Sequence, residues 1–598
     1  MTPYFLFFFV SGFCSILYEL IWLRLAMAQF SITTALVSIV LSMFMAGLGL
    51  GSVAAGTWIR RHGEDIRVPP LRLYALTELL IGFSAFAVPA ELAWGHHLVM
   101  AAAANSALSS TLFYLLSGAW LALTLIPWCA CMGATIPVAM FAIRSDPRFD
   151  ARRSFSFLYL ANVLGAVAGA VVPLLVIELY GFHATLRVGG VLNATIAISA
   201  FLVASTSRTY TSKTNRQLDP AVTSQTDSNN RILVLLFLTG LVTMGMEVVW
   251  IRLFTTYVGA LVYSFATILA SYLLATFAGS QVYRLWSRSH GRESPLAWIS
   301  LALLGLLPIL TADNRLQLIN ILRVILGVMP VSAVIGFLTP MLVDRWSGGD
   351  PDRAGRAYAV NIVGCILGPL VSGFVLLPLV GERLSMLFFV LPWFVMALPA
   401  RREHAATWAV RGATAVILLA AIAVFFFTKD YETQFQRPQV LRDNTATVIA
   451  TQTLGESGMK KRLFVNGIGI TRLTPVTKMM AHFPLASLDH QPSQALVICF
   501  GMGTTFRSAM SWGISVTAVD LVPSVPKLFP YFFADAAQLL ESPQAHVVVD
   551  DGRRYLERNP APYDVIMIDP PPPVQAAGSS LLYSQEFYSV AKQRMQPG

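Results

Sequence analysis

Between Tyr4 and Thr428 the chain alternates apolar runs of about 20 residues with short polar breaks. Each such run is long enough to cross a ~30 Å hydrocarbon layer as a helix. The runs fall at 4–28, 32–58, 71–92, 111–142, 155–179, 183–205, 232–257, 260–284, 296–311, 319–343, 356–379, 382–400 and 412–428. Pro127 and Pro137 predict a kink or break in the fourth, and 296–311 is short for a span. After Thr428 charges, prolines and short alternating strands take over, and no further span follows. The pattern predicts a polytopic α-helical region followed by an α/β domain, with a small hairpin-type part at 429–490 and a Rossmann-like part at 491–598. The first apolar run continues into a full span, so a cleaved leader is not expected.

The helical region repeats itself. Ser11-Gly12 leads to Glu19, Trp22, Arg24 and Leu25, and Thr239-Gly240 leads at the same spacing to Glu247, Trp250, Arg252 and Leu253. Tyr159, Asn162, Gly165 and Gly169 recur as Tyr358, Asn361, Gly364 and Gly368, and Gly133 with Pro137 as Gly336 with Pro340. The matches keep their order, which predicts a 6+6 duplication plus one helix: half 1 at 1–205, a polar linker at 206–230, half 2 at 231–400 and a final helix at 401–428. This layout resembles the parallel halves of the major facilitator arrangement. Gly165 and Gly169, with their copies, are expected at close helix contacts rather than at a substrate.

Composition agrees with this pattern. Only 12% of residues are charged and 55% are hydrophobic, where a soluble domain has about 25% charged. A soluble enzyme, a disordered chain and a disulfide scaffold are excluded. Cys129 and Cys131 have no His or acidic neighbours, so no metal site is expected there. The net charge of +10 is explained by placement, and no nucleic-acid partner is implied. Twenty-one Lys and Arg fall in one set of loops, around Arg60, Arg144, Lys213, Arg288, Arg353 and Arg401, against four in the other set. That bias places the N-terminus in the cytoplasm of a bacterial-type inner membrane. Thirteen crossings then carry the α/β domain to the periplasmic face.

In the α/β part, the apolar strand Leu496–Phe500 runs into Gly501-Met502-Gly503-Thr504-Thr505 and a helix. Such a turn lets backbone N–H groups approach a ligand. A second strand ends in Asp520, 17 residues after Gly503, where an acid can accept both ribose hydroxyls of a nucleoside. A third ends in Asp550-Asp551-Gly552, suited to an adenine amino group, and a fourth in Asp569-Pro570-Pro571-Pro572-Pro573. All lie at carboxyl ends of successive parallel strands, where open α/β sheets bind ligands.

These motifs resemble the spermidine synthase family, and the whole chain resembles the fused membrane–spermidine-synthase-like proteins. Leu463–Gly467 is similar to the family's Leu-x-x-Asp-Gly hairpin, Ala481–Leu485 to its His-x-Pro-Leu segment, and Leu582-Tyr583 with Glu586-Phe587-Tyr588 to the segment after its catalytic loop. The resemblance implies that Gly501, Gly503 and Thr504 hold the methionine-derived part of S-adenosylmethionine or its decarboxylated form. It further implies that Asp520 holds the ribose, that Asp551 with Gly552 holds the adenine, and that Asp569 is the base for an attacking amine. Lys478, His482 and Tyr583 are substrate-side candidates.

Three departures bear on the acceptor. The family's diamine-binding acids read as Met502 and Pro572, and Lys478 stands where the family has Tyr-His-Glu. The expected reaction is therefore aminopropyl-type transfer to an amine, or attack of the ligand's own carboxylate to give a lactone without any acceptor. Either releases 5′-methylthioadenosine. The competing readings are a transporter with an adenosyl-sensing domain and a methyltransferase. In the helical region Glu19, Glu78 and Glu247 are the polar candidates, since ionisable groups in spans are costly and by default functional. The structural alternative is that Glu19 and Glu247, with Arg24 and Arg252, pair internally and fix helix packing.

Overall fold

The computed structural model describes residues 2–30, 33–63, 68–104, 110–145, 154–206, 226–259, 262–286, 295–348, 350–397, 407–455, 458–472, 474–569 and 582–596. Each of the thirteen expected apolar segments is helical over most of its described residues. Eight helices among the described residues are long and apolar enough to cross a membrane. Two of them, Phe155–Ser205 and Pro351–Phe394, each cover two expected segments. The breaks fall at Gly181 (φ 78°) and Gly381 (φ 76°), at equivalent places in the two halves. A left-handed residue ends one helix and starts the next, and glycine adopts it without a Cβ clash. The fourth segment does not break at its prolines: Ser110–Arg144 is one helix. The segment 296–311 divides into Pro295–Leu304 and Leu307–Thr311. Residues 207–225 of the expected linker lie outside the described residues, and the next helix already starts at Thr226.

The duplication is visible in which backbones touch. A Cβ on Gly165 would lie 1.8 Å from the Phe9 carbonyl oxygen, and one on Gly364 2.1 Å from that of Phe237. Gly12 and Gly240 meet the Asn162 and Asn361 carbonyls in the same way, at 2.1 and 1.9 Å. Gly51 against Ala130 is repeated by Gly279 against Ala333. Small residues at these positions allow helices to approach to backbone contact.

The α/β domain has two sheets. Strands β1 (Gln436–Arg442), β2 (Thr447–Gly455), β3 (Gly458–Val465) and β4 (Ile468–Arg472) form an antiparallel sheet in sequential order. The β3–β4 turn is Asn466-Gly467, both at positive φ, as a tight hairpin requires. Strands β5 (Gln494–Ile498), β6 (Ser515–Asp520), β7 (Ala545–Val549) and β8 (Val565–Ile568) form a parallel sheet in the order β7-β6-β5-β8. The chain steps outward from β5 to β7 and then returns to β8 beside β5. The switch point, where such sheets form their crevice, thus lies between β5 and β8. Strands β5 and β6 are buried along nearly their whole length, which explains their continuous apolar runs.

One end of the helical bundle carries this domain. The helix Thr2–Gln29 reaches it at Ala28, whose carbonyl accepts from Arg553. His96 lies 3.5 Å from Glu557, and the Arg554 guanidinium sits 4.0 Å over the Phe113 ring. Half 2 contributes Arg252, Arg383 and Asp313, all bonded to residues beyond Thr428 or to Asp443. The next helix, Thr34–His62, runs to the far end, where Arg60 pairs with Asp352 and Arg144 with Asp350. At 1.5 Å per residue these helices separate the two ends by about 40 Å. The α/β domain therefore sits opposite the basic loops.

Candidate active site

The crevice is built around the turn after β5. Cys499 (φ 71°), Gly501 (φ 55°) and Gly503 (φ 79°) are all left-handed, and the helix Thr504–Met510 starts directly behind them. A Cβ on Gly503 would meet the Phe529 ring at 2.4 Å, so core packing, besides backbone conformation, demands glycine there. Gly552 is fixed in the same manner, its Cβ position lying 2.4 Å from Ile498 Cγ2. Thr504 is buried at the helix start.

Asp520 closes the turn. Its two carboxylate oxygens accept from Phe500 N and Val522 N, each at 2.9 Å, and the carboxylate keeps acceptor capacity beyond these N–H groups. Burial pushes its pKa up to about 6, opposed by the N–H groups of Val522, Phe500 and Gly501, which favour the charged form. Asp569 follows β8, and its N–H donates to Ile498 O at 3.0 Å. Its carboxylate faces the Thr505 hydroxyl at 3.5 Å. Burial raises its pKa, with the Thr505 hydroxyl opposing. Asp551 caps the helix Gly552–Arg558, accepting from Arg553 N at 2.9 Å and Arg554 N at 3.4 Å. Its neighbour Asp550 is taken by Arg554 and Arg558.

The three strand-end acids meet the end of β5: Asp520 accepts from Phe500 N, Asp569 N donates to Ile498 O, and Gly552, which follows Asp551, packs on Ile498. Desolvation pushes the Cys499 thiol well up, and the charges of Asp520, Asp569 and Asp551 add to that rise. The apolar pattern reads Cys499 as a strand residue; its central position follows from the left-handed turn, which no local pattern announces for a cysteine. Two other residues were not singled out. Thr505 donates to Thr477 O at 3.1 Å beside Asp569. Asp443, at the end of β1, accepts from Ser524 N at 3.0 Å and adds its charge to the rise of Asp520.

Two of the substrate-side candidates, Lys478 and His482, share one helix. Lys478 is exposed on the helix Pro475–Ala486, next to Thr477. The His482 ring accepts from Trp512 Nε1 at 2.9 Å, and Tyr583 is exposed. Met502 is buried in the apolar core. Pro570 to Pro573 lie outside the described residues.

In the helical bundle, Glu78 is fully buried and accepts from Asn193 Nδ2 at 2.6 Å, while Tyr18 donates to Asn193 Oδ1 at 2.7 Å. Glu247 is buried and lies within electrostatic reach of Glu19. Arg252 is paired not with Glu247 but with Glu382, at 3.5 Å.

Architecture and site define a Rossmann-like α/β domain with a carboxylate-lined crevice, carried on a duplicated bundle of apolar helices. Residues 473–598 match the spermine/spermidine synthase domain family, so the C-terminal part of the chain is a domain of that type. The chain is 32% identical over 117 residues to polyamine aminopropyltransferase 2 of Pseudomonas aeruginosa, spanning 19% of this chain and 34% of that one. It is 24% identical over 304 residues to the polyamine aminopropyltransferase of Corynebacterium efficiens, spanning 47% of this chain and 58% of that one. Among solved structures, the E. coli fucose:proton symporter matches over 66% of this chain and 96% of its own, at 15% identity and a TM-score of 0.41. These alignments span between a third and three-fifths of the two curated relatives' length.

Proposed function

We propose that the chain is a membrane-embedded transferase of the aminopropyl type, acting on decarboxylated S-adenosylmethionine or S-adenosylmethionine as substrate. The observation that carries this reading is that Asp520, Asp569 and the Asp551-Gly552 pair all meet the end of β5, at Phe500 N, Ile498 O and the Ile498 side chain. Carboxylates suit a sulfonium cation and a ribose diol. In the reaction the neutral amine nitrogen attacks the carbon next to sulfur, the C–S bond breaks, and 5′-methylthioadenosine leaves. Asp569 takes the proton that the amine loses, and its raised pKa makes it a better base than an ordinary carboxylate. A second reading, lactone formation by the ligand's own carboxylate, is favoured by Met502. Buried in the core, it offers no charge to hold a diamine.

Product analysis of the full chain with either ligand, with and without diamines, separates the readings. Methylthioadenosine formed only with an amine supports transfer, and formed without one supports cyclisation. S-adenosylhomocysteine would mean methyl transfer, and no product at all would favour a sensing role. Asp569→Asn should lower turnover about 100-fold while leaving ligand binding nearly intact. Loss of binding with turnover retained per bound ligand would overturn the assignment of the base.

The helical bundle is read as spanning a bacterial-type inner membrane, with the N-terminus inside and the α/β domain on the periplasmic face. The positive-inside bias supports this, as does the position of the domain opposite the Arg60–Asp352 end. A cysteine at exposed Asp489, in a background without native cysteines, tests it. Labelling of intact spheroplasts by an impermeant maleimide is expected; labelling only after lysis would reverse the orientation.

A further inference from the structure

A second cleft, separate from the carboxylate crevice, lies where the helical bundle meets the antiparallel sheet. It is open to solvent on one side. Arg252, Tyr257, Glu382 and Arg383 line it from the bundle, and Lys429 and Asp430 from the segment that enters the α/β domain. Two close approaches fix its walls. A Cβ on Gly467 would lie 2.5 Å from Thr256, and one on Gly381 2.9 Å from Arg442 Nε. The cleft is thus a product of docking that glycine permits on both sides.

Its carboxylates are all matched by guanidinium groups. Glu382 lies 3.5 Å from Arg252 and 3.8 Å from Arg442, Asp430 lies 3.7 Å from Arg383, and Glu432 pairs with Arg442. The cations are not all matched. Arg252 has a side chain only 4% exposed and donates through Nη2 to Asp443 O at 3.0 Å. Its Nη1, also buried, has no hydrogen-bond partner. Lys429 is exposed on the same wall, with no ion pair to any described carboxylate. The Asp443 carboxylate also acts on Arg252, and Asp313 accepts from Lys429 N, so what the cleft leaves unmet is not net charge but a buried N–H without an acceptor, which is costly to leave so. Tyr257 and Tyr431, packed edge to face at 5.7 Å, add an aromatic wall.

We propose that this cleft binds a small organic anion, whose carboxylate or phosphate group faces the Arg252 guanidinium and the Lys429 ammonium. The Arg fork suits either group, and the tyrosines suit the carbon skeleton that carries it. This site does not depend on the adenosyl reading, because none of its anion-binding groups belongs to the crevice at β5.

The test uses the full chain in detergent, titrated with succinate or inorganic phosphate against chloride at equal ionic strength, and followed by calorimetry and thermal unfolding. Saturable binding and stabilisation by either anion are expected. Succinate alone would identify a carboxylate ligand, phosphate alone a phosphate one, and both the shared chemistry. Lys429→Gln, which leaves every Arg252 pair in place, should raise the dissociation constant about tenfold. Arg252→Lys, which keeps charge and removes the fork, should do at least as much. Should Arg252→Lys not fold, Lys429→Gln decides alone. Failure of both anions to bind beyond chloride, or unchanged affinity in Lys429→Gln, overturns the proposal.

Discussion

The two helical halves pack alike and dock differently. Within each half, the same glycines press against the same carbonyls, Gly165 on Phe9 and Gly364 on Phe237. At the end that carries the α/β domain the likeness stops. Half 1 meets the helix Gly552–Arg558, next to the parallel sheet, through Ala28, His96 and Phe113. Half 2 grips the antiparallel sheet through Arg252 and Glu382, the latter accepting from Thr447 Oγ1 at 2.8 Å. A glycine whose Cβ would collide with backbone cannot vary without moving a helix. A polar helix end can, and each copy has taken a different part of the soluble domain. Arg24 and Arg252 hold matching places in the repeat, yet only Arg252 bonds to Asp443. Asp443 in turn holds Ser524 N near the Asp520 strand end.

That contrast can be broken at several points. Arg252→Met removes one partner of a buried pair and should cost about 3 kcal/mol, read as easier proteolytic release of the α/β domain. Arg24→Met should leave that release unchanged, and equal effects of the two would erase the distinction between halves. Gly165→Val and Gly364→Val should each cost roughly 1–3 kcal/mol by overpacking, and by similar amounts, in thermal unfolding. A large difference between them would mean that the duplicated contacts no longer do the same job. Phe113→Leu loses the ring under Arg554 and should cost about 1–2 kcal/mol. Because the affected helix is capped by Asp551, the loss should appear in adenosyl-ligand affinity and not in the docking of the antiparallel sheet.

The smallest expected effect concerns pH. With Asp520 titrating at about 6, its carboxylate is mostly ionised at pH 7.5 and mostly protonated at pH 5.5. Affinity for methylthioadenosine should therefore fall about fourfold between those values, if the ionised form accepts the ribose hydroxyls. The stability of the free domain carries the opposite sign. A carboxyl whose folded pKa lies above its unfolded value contributes most below the unfolded pKa, and that contribution is lost as pH rises through 6. Calorimetric affinity that stays flat across pH 5.5–7.5 would remove Asp520 from the ribose site. Half 1 variants should keep this profile, whereas Arg252→Met, which frees the Asp443 that raises Asp520, should shift it.

Much was legible along the chain because its signals are local. Apolar runs of a span's length gave the helices, and the repeat of Glu19–Leu25 in Glu247–Leu253 announced the duplication. A glycine turn with an acid at the next strand end reads as a crevice wherever β5 and β6 lie side by side. Even the expected close packing of Gly165 and Gly364 follows from the small side chain alone. The breaks at Gly181 and Gly381 were visible only as gaps between spans, while Ser110–Arg144 continues as one helix through two prolines, where the local rule allows a break. Neighbouring helices in such bundles re-satisfy the backbone groups that proline frees.

What the tertiary structure alone decided is everything joined across long separations. Arg252 finds Asp443 191 residues away, and Asn193 finds Glu78 115 residues away. No periodicity or motif encodes such partners, because they depend on which helix ends and strand ends come to share one surface. The left-handed Cys499 among three acids, the cap that occupies Asp551 and the cleft beside Arg252 belong to this class. Sequence set the helices, the strands and the chemistry available at their ends, since those rest on neighbours within a turn or a pleat. Packing chose which of those ends meet, since burial and unpartnered polar groups are settled only once the whole chain has closed.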